Sequence, residues 1–362
     1  MIYSLILSIR DARYRNGRHS VKACVPTVCI GNITVGGTGK TPHTEMLLRE
    51  LLSSERWSSS YLAVLSRGYK RKGKGFQQVP YDGNAAFYGD EPLQIKRKFP
   101  GVTVAVHKDR VEACDILTHP EKAAALKKCR VPVFPAADFI VLDDAYQYRK
   151  LKADLDVVLT SYDNPVTEDS LMPGGRLRDL KKRLYDCDVV IVTKCPWELD
   201  DSEKLGMAQT LGYESYDPGT CTAVRRGRSQ LLLFSRICYE RPAPVCESAD
   251  GRYVYSHKAV LFSGIADDTP LYNQLSDSYT IVEHISFPDH HRYGAADIRK
   301  LRNAMRRNPT AAFVTTEKDA QRLRDLEKLP EELRARLFYL PITVEFLSER
   351  ERQFFIDTIT RI

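Results

Sequence analysis

The sequence predicts an α/β fold: a phosphate-loop α/β/α domain built on a parallel sheet, then a β-strand linker, then a second, smaller α/β domain. Three observations carry this. An apolar run at 25–30 leads through a glycine-rich turn into a helical segment. Further short apolar runs at 61–65, 102–106, 139–142, 157–159 and 189–192 alternate with helical or loop segments, the pattern of a parallel sheet covered on both faces. The pattern then breaks at 221–255 and a second α/β alternation follows.

The turn reads Gly31-Asn32-Ile33-Thr34-Val35-Gly36-Gly37-Thr38-Gly39-Lys40-Thr41. Crowded glycines let successive backbone N–H groups face an anion, Lys40 brings a cation to the outer phosphates, and the Thr41 hydroxyl suits magnesium. The strict phosphate-loop spacing asks for glycine five residues before Gly39, where this chain has Thr34, so the loop is a variant. A helix is expected over 44–52. Ser66-Arg67-Gly68-Tyr69 leaves the C-terminal end of the next strand, where open α/β sheets place ligands. Short alternating pieces with Pro242 and Pro244 read as the linker, including the run Leu231-Leu232-Leu233-Phe234. The second α/β unit has expected strands at 259–262, 279–282 and 312–314, with helices near Leu271, Ala296 and Gln321. Phe354, Phe355, Ile356 and Ile359 form the apolar stripe of a terminal helix. The expected boundaries are 1–220 for the first domain, 221–258 for the linker, 259–345 for the second domain, and 346–362 for a helix returning to the first.

Composition is that of a globular chain, with 362 residues, 43% hydrophobic and 28% charged. The formal charge of +7 gathers in clusters at 10–22, 67–74 and 176–183. These suit anionic substrates or lipid, and no aromatic-interleaved basic stripe points to nucleic acid. Nine scattered cysteines without a Cys-x-x-Cys pair fit a reducing compartment better than a disulfide framework or structural zinc. No run reaches the roughly 20 apolar residues needed to cross a bilayer. At the N-terminus Ile2, Leu5, Ile6 and Ile9 share one helical face, followed by Arg10, Arg13, Arg15 and Arg18. That face either lies in a membrane interface, at roughly 1.5–3 kcal/mol per buried side chain, or packs on its own domain.

Candidate chemistry starts with Leu142-Asp143-Asp144, an apolar strand ending in two carboxylates, placed as phosphate-loop enzymes place those that hold magnesium. Asp143 is the first choice and Asp144 the second. Gly89-Asp90-Glu91-Pro92 opens a helix. Asp90 reads either as its N-cap or as the base for an acceptor hydroxyl, with Glu91 an added magnesium contact. Phe287-Pro288-Asp289-His290-His291 offers a carboxylate-imidazole pair in Asp289 and His290. Thr193-Lys194-Cys195-Pro196 has proline where guanine-reading loops carry aspartate, which favours adenine nucleotide.

Together these motifs, with Pro173-Gly174-Gly175-Arg176-Leu177-Arg178 and Val314-Thr315-Thr316-Glu317-Lys318-Asp319, resemble the tetraacyldisaccharide 4'-kinase family of lipid A biosynthesis along nearly the whole chain. The variant Thr34 also fits that family's loop. The resemblance implies a P-loop kinase-type fold, transfer of the ATP γ-phosphate to the 4'-hydroxyl of a tetraacylated glucosamine disaccharide 1-phosphate, and peripheral attachment at the cytoplasmic face of the inner membrane. No nucleic-acid partner is expected from the basic clusters, and no obligate protein partner is evident from the sequence. By the same resemblance, the loop from Thr34 through Val35, Gly36, Gly37, Thr38, Gly39, Lys40 and Thr41 binds ATP. Thr41, Asp143, Asp144 and Glu91 hold magnesium, Asp90 is the base assisted by His290 and Asp289, and Arg67, Gln147, Arg176 and Arg178 contact substrate. Departures from the family pattern are Ala145-Tyr146-Gln147-Tyr148, Met172 and Asp179, at positions expected to touch lipid detail rather than the reaction. Two other classes remain: a nucleotide-switched ATPase or metallochaperone, which would hydrolyse ATP slowly, and a non-catalytic binding protein.

Overall fold

In the computed structural model, which describes residues 2–14, 19–131, 133–326 and 329–362, the chain builds two sheets. The larger is 11-stranded. Its parallel centre runs Thr103–Val106, Leu62–Ser66, Phe139–Asp143, Thr27–Asn32, Leu155–Ser161, Val189–Thr193 and Arg228–Tyr239 in spatial order. Thr27–Asn32, Leu62–Ser66, Phe139–Asp143 and Val189–Thr193 are buried at every position. That explains why they read as unbroken apolar runs rather than alternating ones, since a parallel sheet is covered on both faces. Alternate residues of Thr27–Asn32 enter different cores: Cys29 joins one face, Val28 and Ile30 the other.

The second sheet is 5-stranded, in the order Ala243–Pro244, Leu337–Leu340, Ala312–Thr316, Lys258–Ser263, Thr280–Ser286. Its two faces carry separate cores, one around Phe262 and Phe313, the other around Leu261 and Val314.

The stretch 221–258 differs from the linker expectation. Thr222–Arg225 and most of Arg228–Tyr239 belong to the large sheet, and residues 231–234 pair in parallel with 189–192. Leu232, Leu233 and Phe234 are fully buried, so this apolar run is a core strand, as its lack of alternation should have indicated. The link between the sheets is narrower. Residues 235–239 leave the sheet and pair antiparallel with Ile342–Phe346 in a two-stranded ribbon. The helix Glu349–Thr360 then packs Phe355 and Ile359 beside Leu47, Leu48 and Leu51 of the helix Lys40–Ser53.

The helix Ile2–Tyr14 docks through one face. Leu7 is buried, the Tyr3 hydroxyl donates to the Arg178 carbonyl at 2.9 Å, Arg10 donates to the Gln147 carbonyl, and Asp11 pairs with Arg149 at 2.8 Å. Leu5, Ile6 and Ile9 point away and are 61%, 54% and 62% exposed. Arg15, Arg18 and the side chain of Ile2 lie outside the described residues. Among the described residues no helix is long and apolar enough to cross a membrane.

Candidate active site

Thr27–Asn32 sits between Phe139–Asp143 and Leu155–Ser161, so its loop emerges at the C-terminal edge of the sheet centre. Gly36 and Gly39 take φ of 110° and 85°, conformations that side chains with a Cβ rarely adopt. Gly39 thereby delivers the chain into the helix at Lys40. The loop is braced from several sides. Asn32 Nδ2 donates to Thr38 Oγ1 at 2.7 Å, Thr193 Oγ1 donates to the Thr38 carbonyl at 3.0 Å, and Val35 N donates to the Arg176 carbonyl at 2.7 Å.

Charge converges beyond the loop. Lys40 Nζ lies 3.9 Å from Asp144 Oδ1, and Arg178 grips the same carboxylate through both terminal nitrogens. Burial would raise the Asp144 pKa, but Lys40 and Arg178 hold it below the ordinary value. Asp143 behaves oppositely. Burial, with Glu91 and Asp144 close by, pushes it up to about 7. Burial lowers the Lys40 pKa against the opposing pull of Asp144.

Carboxylates pressed together in this way are relieved by a divalent cation. Among the described residues no group of three His, Cys, Asp or Glu side chains closes into a metal cage. Magnesium is usually held by one or two carboxylates together with substrate phosphates and water. Thr41, buried at the start of the loop helix, and Asp143 and Glu91 are the residues that fit it.

Asp90 stands at the first position of the helix Asp90–Lys98, and its N-cap is Gly89 at φ 105°. The capping alternative therefore gives way: the Asp90 side chain turns to the second sheet. There Arg322 donates to Oδ2, and His290 Nδ1 lies 3.9 Å from the same oxygen. His290 takes the left-handed conformation at φ 58°, with Asp289 Oδ2 3.8 Å from its Nε2 and Tyr69 at 6.0 Å between ring centroids. Although burial opposes it, His290 and Arg322 hold the Asp90 carboxyl well below the ordinary range.

The substrate candidates separate. Gln147 reaches the Asn32 carbonyl and Arg178 reaches Asp144, both beside the loop. Arg67 is exposed at the end of Leu62–Ser66, and Arg176 points out to Asp169 at 3.1 Å.

The tetraacyldisaccharide-1-P 4'-kinase family model matches residues 1–361. The chain belongs to that family. A tetraacyldisaccharide 4'-kinase of Parabacteroides distasonis is 38% identical over 91% of this chain and 84% of its own length. Another, from Bacteroides thetaiotaomicron, is 32% identical over 98% and 89% respectively. The crystal structure of Aquifex aeolicus LpxK in complex with ATP superposes with a TM-score of 0.69 at 23% identity, covering 99% of this chain and 95% of that one; this likeness speaks to the fold.

In this family member several site residues were not singled out from the sequence. Asn32 had a usable signal, a polar amide just past the apolar run 25–30, and the structure buries it fully. Arg110, buried and electrostatically close to Asp144 and Arg67, had none. Lys318 and Arg322, which pair with Glu91 and Asp90, come from the far end of the chain. Asp179, expected to bear on lipid contact, is instead a fully buried structural carboxylate paired with Arg149 at 2.8 Å.

Proposed function

We propose that this chain transfers the γ-phosphate of ATP to the 4'-hydroxyl of a tetraacyldisaccharide 1-phosphate, forming lipid IV-A. The observation that carries the reading is the meeting of two sets of groups. One is the loop with Lys40, Asp143 and Asp144; the other is Asp90 and Glu91, faced by His290 from the second sheet.

In this reading, the loop amides from Thr34 to Thr41 and Lys40 hold the phosphates, which positions the γ-phosphorus and offsets its charge. Thr41, Asp143 and Glu91 would hold magnesium, which would supply further charge neutralisation on the phosphates. The 4'-oxygen attacks phosphorus, the bond to the ADP oxygen breaks, and the hydroxyl proton passes to Asp90. A weakly basic carboxylate suffices because the transition state is loose and proton transfer comes late. His290, backed by Asp289, orients the acceptor beside Asp90. Arg67, Gln147, Arg176 and Arg178 hold the disaccharide and its phosphate.

The substrate's acyl chains cost about 0.8 kcal/mol per exposed methylene, so the enzyme comes to the bilayer. The exposed Leu5, Ile6 and Ile9 support attachment at the cytoplasmic face of the inner membrane, with the docked face of that helix beside Arg178 and Gln147.

The test is transfer of labelled γ-phosphate to tetraacyldisaccharide 1-phosphate in mixed micelles with magnesium, comparing the parent with Asp90→Ala. Labelled lipid from the parent and almost none from the variant supports the reading. Phosphate released to water without labelled lipid replaces it with the ATPase switch.

A further inference from the structure

We propose that Arg322, anchored by Asp319, is the positioning residue of Asp90, so that the direction of the acceptor-side carboxylate is set from the second sheet. The inference rests on the reading of Asp90 as the acceptor base.

Asp90 spends one oxygen locally, since Oδ1 accepts the Glu91 backbone N–H at 3.1 Å. Oδ2 extends across the gap between the sheets and receives Arg322 Nη2. The guanidinium is itself held. Its Nη1 donates to Asp319 Oδ1 at 2.8 Å and to the Gly264 carbonyl at 3.2 Å. Asp319 has no exposed surface, and its Oδ2 accepts the Gly264 N–H at 2.8 Å and the Thr316 hydroxyl at 2.7 Å. A planar fork fixed on one side constrains the carboxylate on its other side in angle as well as distance, which a lysine point charge does not do.

The neighbouring contacts make the same crossing. Lys318 pairs with Glu91, and Lys98 lies 2.7 Å from Glu45 and 2.8 Å from Glu317. The run Thr316-Glu317-Lys318-Asp319, which the reaction itself leaves without a role, thus supplies the second sheet's side of a charged clamp on the helix that begins at Asp90. Separation of the sheets would release Oδ2 from its fixed direction, so the base is aligned only while they are docked.

The test measures kcat and KM for both substrates in Arg322→Ala, Arg322→Lys, Asp319→Asn, Asp90→Asn and the Asp90→Asn/Arg322→Ala double variant, with thermal unfolding of each. A misplacement of about 1 Å costs on the order of 10²-fold in rate. Arg322→Ala is therefore expected to lose about 10- to 100-fold in kcat with little change in KM for ATP, and Arg322→Lys to recover only part of it. The double variant should be no slower than Asp90→Asn alone. A parent-like kcat in Arg322→Ala overturns the proposal, as do losses that multiply in the double variant. So does a loss that tracks the fall in melting temperature across Arg322→Lys and Asp319→Asn. If Asp90→Asn itself turns over like the parent, the base reading fails, and that result is visible separately.

Discussion

His43 and Ser235 share a buried hydrogen bond of 2.9 Å that ties the phosphate loop to the strand leaving the first sheet for the second. The other ring nitrogen of His43 lies 2.7 Å from the Gly39 carbonyl oxygen. Burial pushes the imidazole pKa down to about 4, so the ring is neutral near pH 7. A carbonyl only accepts, so Nδ1 carries the hydrogen and Nε2 accepts from the Ser235 hydroxyl. Loop, ring and the root of the ribbon are therefore one packed unit, and a Cβ on Gly39 would come within 3.3 Å of the ring and 3.8 Å of Ile237.

Replacing His43 by Ala removes the imidazole from the Gly39 carbonyl, which keeps the backbone N–H of residue 43 at 3.1 Å, and from the Ser235 hydroxyl, which keeps only the Val192 carbonyl at 3.4 Å. The expected cost is about 1–3 kcal/mol, read as a lower unfolding midpoint in denaturant, together with a raised KM for ATP. Ser235→Ala removes the hydroxyl from His43 Nε2 and from the Val192 carbonyl at 3.4 Å, but leaves the Gly39 contact in place, and should cost about 1 kcal/mol. A His43→Ala protein that unfolds and binds ATP like the parent would show that the link carries no load.

Much of the loop side of the site is legible in the sequence because its chemistry is local: glycines at strained turns, Lys40 and Thr41 in fixed order, and two aspartates ending an apolar strand. The acceptor side is legible only in part. Asp90 and His290 stand out as motifs, but the Arg322 contact spans 232 residues, and no periodicity encodes a pairing across two sheets. The N-terminal helix shows the same division. Its apolar stripe follows from spacing, but that Leu5, Ile6 and Ile9 stay exposed while Tyr3, Leu7 and Asp11 dock depends on partners such as Arg149 that only the fold brings near.

That docking gives a second prediction. Arg149 is buried between Asp11 and Asp179, at 2.8 Å from each. Arg149→Ala takes from the buried Asp179 its nearer cation and leaves only Arg183 at 3.9 Å, so the loss should approach the roughly 3–5 kcal/mol of a broken buried pair without exceeding it. Chemical denaturation should show it. Arg149→Ala/Asp179→Asn should recover part of the loss, since the uncompensated charge is gone. Equal midpoints for parent and Arg149→Ala would refute the account.

The free face of the same helix predicts a separable effect. Leu5, Ile6 and Ile9 make little contact with the fold, so Leu5→Ser/Ile6→Ser/Ile9→Ser should leave the unfolding midpoint nearly unchanged. Its partitioning onto vesicles containing anionic lipid should fall by at least about 10-fold, since each apolar side chain withdrawn from the bilayer costs roughly 1.5–3 kcal/mol. Sedimentation with vesicles measures it, and undiminished binding by the triple variant would place membrane attachment elsewhere.

Asp156 contributes a pH dependence that can be isolated by substitution. Burial and the neighbouring Asp188 carboxylate push its pKa up to about 7, against about 3.9 in an unfolded chain. Between those values the folded state holds a proton that the unfolded state has released, so this group's contribution to stability falls as pH rises from about 4 to 7 and stays lost above. Asparagine reproduces the protonated carboxyl without the titration. Asp156→Asn should therefore match the parent near pH 4 and gain on it steadily towards pH 8. The shift of about 3 units sets a ceiling near 4 kcal/mol. Because Asp156 lines an open cavity with Lys152 and Arg183 nearby, a gain of about 1–2 kcal/mol is expected after screening. Unfolding midpoints of both proteins at pH 5, 6, 7 and 8 decide it: a constant difference across the series means that Asp156 stays ionised throughout.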